Sequence, residues 1–138
     1  MKDQKIQVLV ADDEDGLRST IVAWLGDEGF VVEQASNGLD AIKLVQSKDF
    51  DIALLDIKMP GANGLEVLRY IKKNSVATEV VMMTGMSDVS MAVEAMKLGA
   101  VDFIQKPFVP EQIRERVARV MSREKSRQSK DDRSHLFN

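Results

Sequence analysis

Five residues spread along 138 positions could act together on a phosphoryl group: Asp12, Asp13, Asp56, Thr84 and Lys106. Each stands at or just past the carboxyl end of a short apolar run. VLVA precedes Asp12-Asp13, IALL precedes Asp56, VVMM precedes Thr84, and VDFIQ precedes Lys106. If these runs are parallel strands, their ends lie along one edge of a sheet, where open α/β folds bind ligands. Carboxylates brought within a few ångströms repel one another, and without a counter-ion at least one tends to hold a proton. A hard divalent cation resolves that conflict, and Mg²⁺ suits oxygen ligands while keeping several waters. Phosphoryl transfer then needs an in-line nucleophile, cations against the equatorial oxygens and a hydrogen-bond donor. Asp56 is the candidate nucleophile, Mg²⁺ and Lys106 the cations, and Thr84 the donor. The product would be an acyl phosphate on Asp56.

Singly, each residue has a plainer explanation. Paired acids after a strand suit the start of a helix, where the macrodipole favours negative charge. A strand-terminal Thr often serves as a cap or turn residue, and a lone Lys is usually solvated. Their recurrence at successive strand ends is what favours a shared site.

The elements that must position them alternate regularly. Strand-like segments are Ile6–Ala11, Val31–Ala35, Ile52–Asp56, Val80–Thr84 and Val101–Gln105. Helical periodicity marks Leu17–Glu28, Leu39–Ser47, Leu65–Lys73, Val89–Leu98 and a fifth segment from Glu111 to about Arg123. Asn37-Gly38 opens the second helix, Asp88 is a candidate N-cap, Gly99 a C-cap and Pro110 a first-turn residue. Five βα units with short connections predict an α/β fold, a doubly wound five-stranded parallel sheet with right-handed crossovers. Periodicity does not supply the strand order.

Composition bounds the function classes. With 44% hydrophobic and 30% charged residues, the chain reads as a soluble globular domain. No apolar run approaches the roughly 20 residues of a membrane helix, and the N-terminus lacks the pattern of a signal peptide. Zero cysteines exclude disulfides and thiolate metal sites and fit a cytoplasmic location. The net charge of −3 divides into −6 over residues 1–110 and +3 over 111–138. No aromatics interleave with the basic residues, so direct nucleic-acid binding by this segment is not expected, nor is membrane binding. The expected organisation is a domain over 1–121 and a polar linker or tail over 122–138.

Four blocks in order carry a family likeness: VLVADDE (Val8–Glu14), LLDIKMPGANGLEVL (Leu54–Leu68), MMTG (Met82–Gly85) and GAVDFIQKPF (Gly99–Phe108). From Lys5 to about Met121 the chain resembles a response-regulator receiver domain of bacterial two-component signalling. The resemblance implies a flavodoxin-like, CheY-like fold and a phosphoacceptor at Asp56. It implies Mg²⁺ (or Mn²⁺) held by Asp12, Asp13, Asp56 and the backbone carbonyl of Lys58, with Asp13 a direct ligand. Thr84 and Lys106 would contact the phosphoryl group, Thr84 and Phe103 would form the switch, and the peptide before Pro107 would be cis. The donor would be a sensor histidine kinase or a phosphotransfer protein. Such a domain is a signalling phosphoacceptor with slow self-dephosphorylation, not a turnover enzyme.

Phosphorylation would draw Thr84 inward, move the Gly85–Ser87 loop and let Phe103 turn from exposed to buried, biasing a pre-existing equilibrium. The changed face would comprise the fourth helix, fifth strand and fifth helix, with Met91 exposed. It would engage an effector domain for transcriptional output, or a second copy in a phosphorylation-dependent homodimer. Ile113, Val117, Val120 and Met121 form one stripe of the fifth helix, mostly core. The polar tail fits a receiver belonging to a longer protein somewhat better than a stand-alone one.

Three rivals fit less well. A haloacid-dehalogenase-like phosphatase needs a second acid two residues after its nucleophile, where this chain has Lys58. A nucleotide or flavin module needs a phosphate-cradling loop after the first strand, and ADDEDG would repel phosphate. A degenerate receiver would have lost Asp56, Lys106 or one of the paired acids, and all are present.

Lys58 and Met86 would flank the path of the water that hydrolyses the acyl phosphate, and neither readily orients it. Lys58 can hold the phosphoryl group electrostatically, and Met86 can exclude solvent. The phosphorylated form is therefore expected to be long-lived for the family. In a dephosphorylation assay Lys58→Asn and Met86→Ala should each hasten decay; unchanged rates would refute this.

Overall fold

Ile52-Ala53-Leu54-Leu55 is apolar on both faces of a strand, so it must lie between two layers. In the computed structural model, which describes residues 5–74 and 77–122 (the side chain of Met86 excepted), this strand is the centre of the molecule. The elements run β1 (Gln7–Ala11), α1 (Asp15–Asp27), β2 (Val31–Ala35), α2 (Gly38–Ser47), β3 (Ile52–Asp56), α3 (Gly64–Asn74), β4 (Glu79–Thr84), a 3-10 turn (Met86–Asp88), α4 (Val89–Leu98) and β5 (Asp102–Gln105). A fifth helix, α5, covers 110–122. All neighbouring strands are parallel, in the order β2-β1-β3-β4-β5.

Side-chain polarity accounts for which strands lie at the edges. Every residue of β3 and β4 is buried. By contrast β2 (VVEQA) and β5 (DFIQ) carry polar residues and are partly exposed. The edge of β5 is covered by side chains: Asp102 Oδ1 accepts from the Phe103 amide at 2.8 Å, and Arg116 donates to the Phe103 carbonyl at 2.7 Å. Such pairing blunts an edge that could otherwise add a foreign strand.

Two apolar cores flank the sheet. One gathers Leu9, Leu55 and Met82 with residues of α2, α3 and α4. The other joins Val10, Leu54 and Met83 to Ile21 and Leu25 of α1 and Ile113, Val117 and Val120 of α5. The expected α5 stripe is thus core, with Met121 half-buried against it. Met91, expected to be exposed, is instead half-buried, because α4 packs its face onto the first core. Asn37 caps α2 by accepting from the Asp40 amide at 2.8 Å, and Gly99 ends α4 at φ 114°. Asp88 holds the N-cap position of α4, yet its side chain makes no capping hydrogen bond. Among the described residues no helix is long and apolar enough to cross a membrane. The tail expected beyond α5 falls outside the described residues.

Two glycines set the position of the loop after β3. A Cβ on Gly38 would lie 1.8 Å from the Ala62 carbonyl oxygen, and one on Gly64 would lie 2.2 Å from that of Asp56. Backbone meets backbone at both places, so no side-chain rotation relieves the clash. Gly38→Ala and Gly64→Ala should each destabilise by about 2–3 kcal/mol or more in urea titrations. Gly26→Ala, in α1 with nothing near its Cβ, should stabilise by about 0.5–1 kcal/mol.

Candidate functional site

The reversal in strand order between β1 and β3 opens a crevice at their carboxyl ends. Asp56 is the last residue of β3, and Asp12 and Asp13 follow β1 directly. One carboxylate oxygen from each of the three lies within 4.8 Å of the others. Asp12 is fully buried, Asp56 is 6% exposed, and Asp13 faces solvent.

Asp12 is the most constrained of the three. Its Oδ1 accepts from the Glu14 amide at 2.8 Å, and its Oδ2 accepts from Lys106 Nζ at 2.9 Å. Its carbonyl accepts from Arg18, whose guanidinium also bonds Gln34 and Asp15. Lys106 Nζ lies 3.4 Å from Asp56 Oδ1, so one ammonium serves both buried acids. The Lys106 amide donates to the Thr84 carbonyl at 2.7 Å, and the following peptide to Pro107 is cis.

This crowding shows in protonation. Burial, then the charge of Asp12, push the Asp56 carboxyl up to about 7; Lys106 opposes the shift, and a hydrogen bond with Asp13 adds to it. Burial works against the Lys106 ammonium, but Asp12 and Asp56 outweigh it and hold its pKa above the usual lysine value. Three hard oxygen donors, two of them buried, with a carboxyl reluctant to ionise, form a set that a small divalent cation would satisfy.

The other expected site residues are arranged differently. Thr84 is fully buried at the end of β4, and its hydroxyl donates to the Gly85 carbonyl at 3.0 Å. Lys58 Nζ pairs with Asp88 Oδ1 at 3.0 Å across the two loops. Phe103 is half-buried against the core under α2, α3 and α4. The side chain of Met86 lies outside the described part of the structure. Sequence reasoning misses three participants: Arg18, which braces the turn after β1; Asp88, which reads locally as a cap; and Arg116, which grips the Phe103 backbone. The spacing of Asp15 and Arg18 could have suggested an i,i+3 pair; the other two depend on contacts between distant segments.

The family model for the response regulator receiver domain matches residues 8–118. Sporulation initiation phosphotransferase F of Bacillus subtilis is 34% identical over 115 residues, covering 83% of this chain and 93% of that protein. An NtrX-like response regulator of Rickettsia typhi is 40% identical over 106 residues, covering 75% of this chain; the chain spans only 22% of that relative's length. The crystal structure of the receiver domain of NtrX from Brucella abortus superimposes with a TM-score of 0.79 at 32% identity, covering 83% of this chain and 98% of that one. With its sheet order, its acidic crevice and these likenesses, the chain belongs to the response regulator receiver domains of two-component systems.

Proposed function

We propose that Asp56 accepts a phosphoryl group from a sensor histidine kinase or a phosphotransfer protein. The observation that carries this reading is the placement of Asp56, buried beside Asp12 and Asp13 and 3.4 Å from the Lys106 ammonium. An Asp56 oxygen attacks phosphorus in line while the bond to the donor's imidazole nitrogen breaks. The electron pair leaves with that nitrogen, and an acyl phosphate forms.

Asp12, Asp13, Asp56 and the Lys58 carbonyl would hold Mg²⁺ (or Mn²⁺). When bound, the cation neutralises oxygens that Lys106 alone cannot. Lys106 stabilises the transferred group, and Thr84, once its hydroxyl leaves the Gly85 carbonyl, donates to it. Phe103, half-buried, follows that movement as the switch residue. The readout face is α4, β5 and α5, where Val93 and Met96 are exposed. An effector domain for transcriptional output, or a second copy in a phosphorylation-dependent dimer, would bind there. We place the receiver at 1–121, followed by a polar linker or tail over 122–138, and the protein in the cytoplasm. Slow loss of the phosphoryl group, tuned by Lys58 and Met86, suits a signalling state better than hydrolytic turnover: position 58 offers an ammonium, paired to Asp88, where a phosphatase needs an acid.

Incubation with Mg²⁺ and acetyl phosphate should add one phosphoryl mass, and Asp56→Asn should abolish the gain. Equal uptake by that variant would move the acceptor elsewhere.

Proton linkage gives a second test. The folded pKa of Asp56, about 7, exceeds the ordinary 3.8. The folded state therefore binds the extra proton, and this stabilisation is lost as pH rises from about 4 through 7. In chelator, Asp56→Asn should gain stability relative to the parent as pH rises, by at most about 1.4 kcal/mol per pH unit. Mg²⁺ should narrow the gap. A pH-independent difference in urea denaturation would refute the shift.

A further inference from the structure

Asp88 stands where an aspartate normally caps a helix, and it does not cap. At the N-cap of α4 its backbone has φ −111° and ψ 18°, with no side-chain capping bond. An Asp there ordinarily accepts from a first-turn amide and is favoured by the helix dipole. Instead its Oδ1 lies 3.0 Å from Lys58 Nζ. Its Oδ2 lies over Gly85, 3.3 Å from where a Cβ would stand. The Asp88 amide donates to the Gly85 carbonyl at 3.1 Å, and that carbonyl also accepts the Thr84 hydroxyl. One ion pair thus ties the loop after β3 to the turn before α4 and, through Gly85, to Thr84.

The two partners differ in freedom. The Asp88 side chain is 11% exposed and that of Lys58 is 66% exposed. Lys58 can therefore swing at little cost, whereas Asp88 cannot leave without rearranging the turn. Lys58 also follows Asp56 by two residues, and its exposed, flexible four-carbon stem lets the ammonium turn toward a group carried there. A phosphoryl group bears about −1.5 to −2 charge and three acceptor oxygens, so it outcompetes a single carboxylate for an ammonium.

We propose that Lys58 is a shared counter-ion that exchanges Asp88 for the phosphoryl group on Asp56. Asp88, released, caps α4, and the turn Met86–Asp88 loosens. The inference rests on Asp56 being the phosphoacceptor. Asp88 is then a positioning residue acting through Lys58, and it gives α4 a route of response independent of Phe103.

A double-mutant cycle on the full chain tests this with Mg²⁺ and beryllofluoride as the phosphoryl mimic. Asp88→Asn frees Lys58 and should tighten beryllofluoride binding about two- to fivefold, the range of a partly exposed ion pair. In the Lys58→Met background the same substitution should change affinity by less than about 1.5-fold. Hydrogen exchange of the Met86–Asp88 amides should quicken on adding the mimic to the parent, and should already be fast in Asp88→Asn without it. Asp88→Ser, which keeps a capping oxygen, replaces Asp88→Asn if the latter folds poorly. An equal effect of the Asp88 substitution in both backgrounds, or none in either, overturns the exchange. If the parent takes up neither phosphoryl group nor mimic, the reading of Asp56 fails as well.

Discussion

Two buried carboxylates, Asp12 and Asp56, share one ammonium, and the edge of the sheet is organised around that imbalance. Burial, and after it the charge of Asp12, push the Asp56 carboxyl up to about 7 against the pull of the one shared ammonium. The fold keeps the acids together nonetheless. Asp12 is gripped by the Glu14 amide and Lys106, and its backbone by Arg18, so it cannot relax away from Asp56. Lys106 is held in turn through its amide to the Thr84 carbonyl. The crevice is therefore short of positive charge, a deficit that an added divalent cation would relieve.

The same economy of contacts links the site to the rest of the molecule. Gly85 supplies a single carbonyl on which the Thr84 hydroxyl and the Asp88 amide both depend. Anything that recruits Thr84 disturbs the turn before α4. On the other side of β4, the Phe103 backbone is pinned at its amide by Asp102 and at its carbonyl by Arg116. With the main chain fixed, side-chain torsion is the soft coordinate left to that residue. Gly38 and Gly64 hold the intervening loop close to α2 and to the end of β3, leaving it little slack to absorb such movements.

Much of this was legible in the linear chain. Val31–Ala35, Ile52–Asp56 and Val89–Leu98 have the bounds their apolar patterns and punctuation indicate, and the other elements differ by one or two residues at their ends. Asp12, Asp13, Asp56 and Lys106 were recognisable because strand ends in a parallel sheet share an edge. What was not legible depends on pairs from distant segments. Asp88 reads locally as a cap, and only the approach of Lys58 from another loop diverts it. Met91 reads as exposed until α4 is laid on the core. Arg116 carries no sign that it will reach Phe103.

The sequence by itself determined the alternation of strand and helix, the apolar centre of the sheet and which acids would stand at strand ends. These follow from residue polarity at periods of two and 3.6, which neighbouring positions fully specify. Only the tertiary structure decided the order β2-β1-β3-β4-β5, the sharing of Lys106 between Asp12 and Asp56, and the diversion of Asp88 to Lys58. Those outcomes depend on distances between side chains far apart in the chain, and charge interactions change steeply with distance and burial.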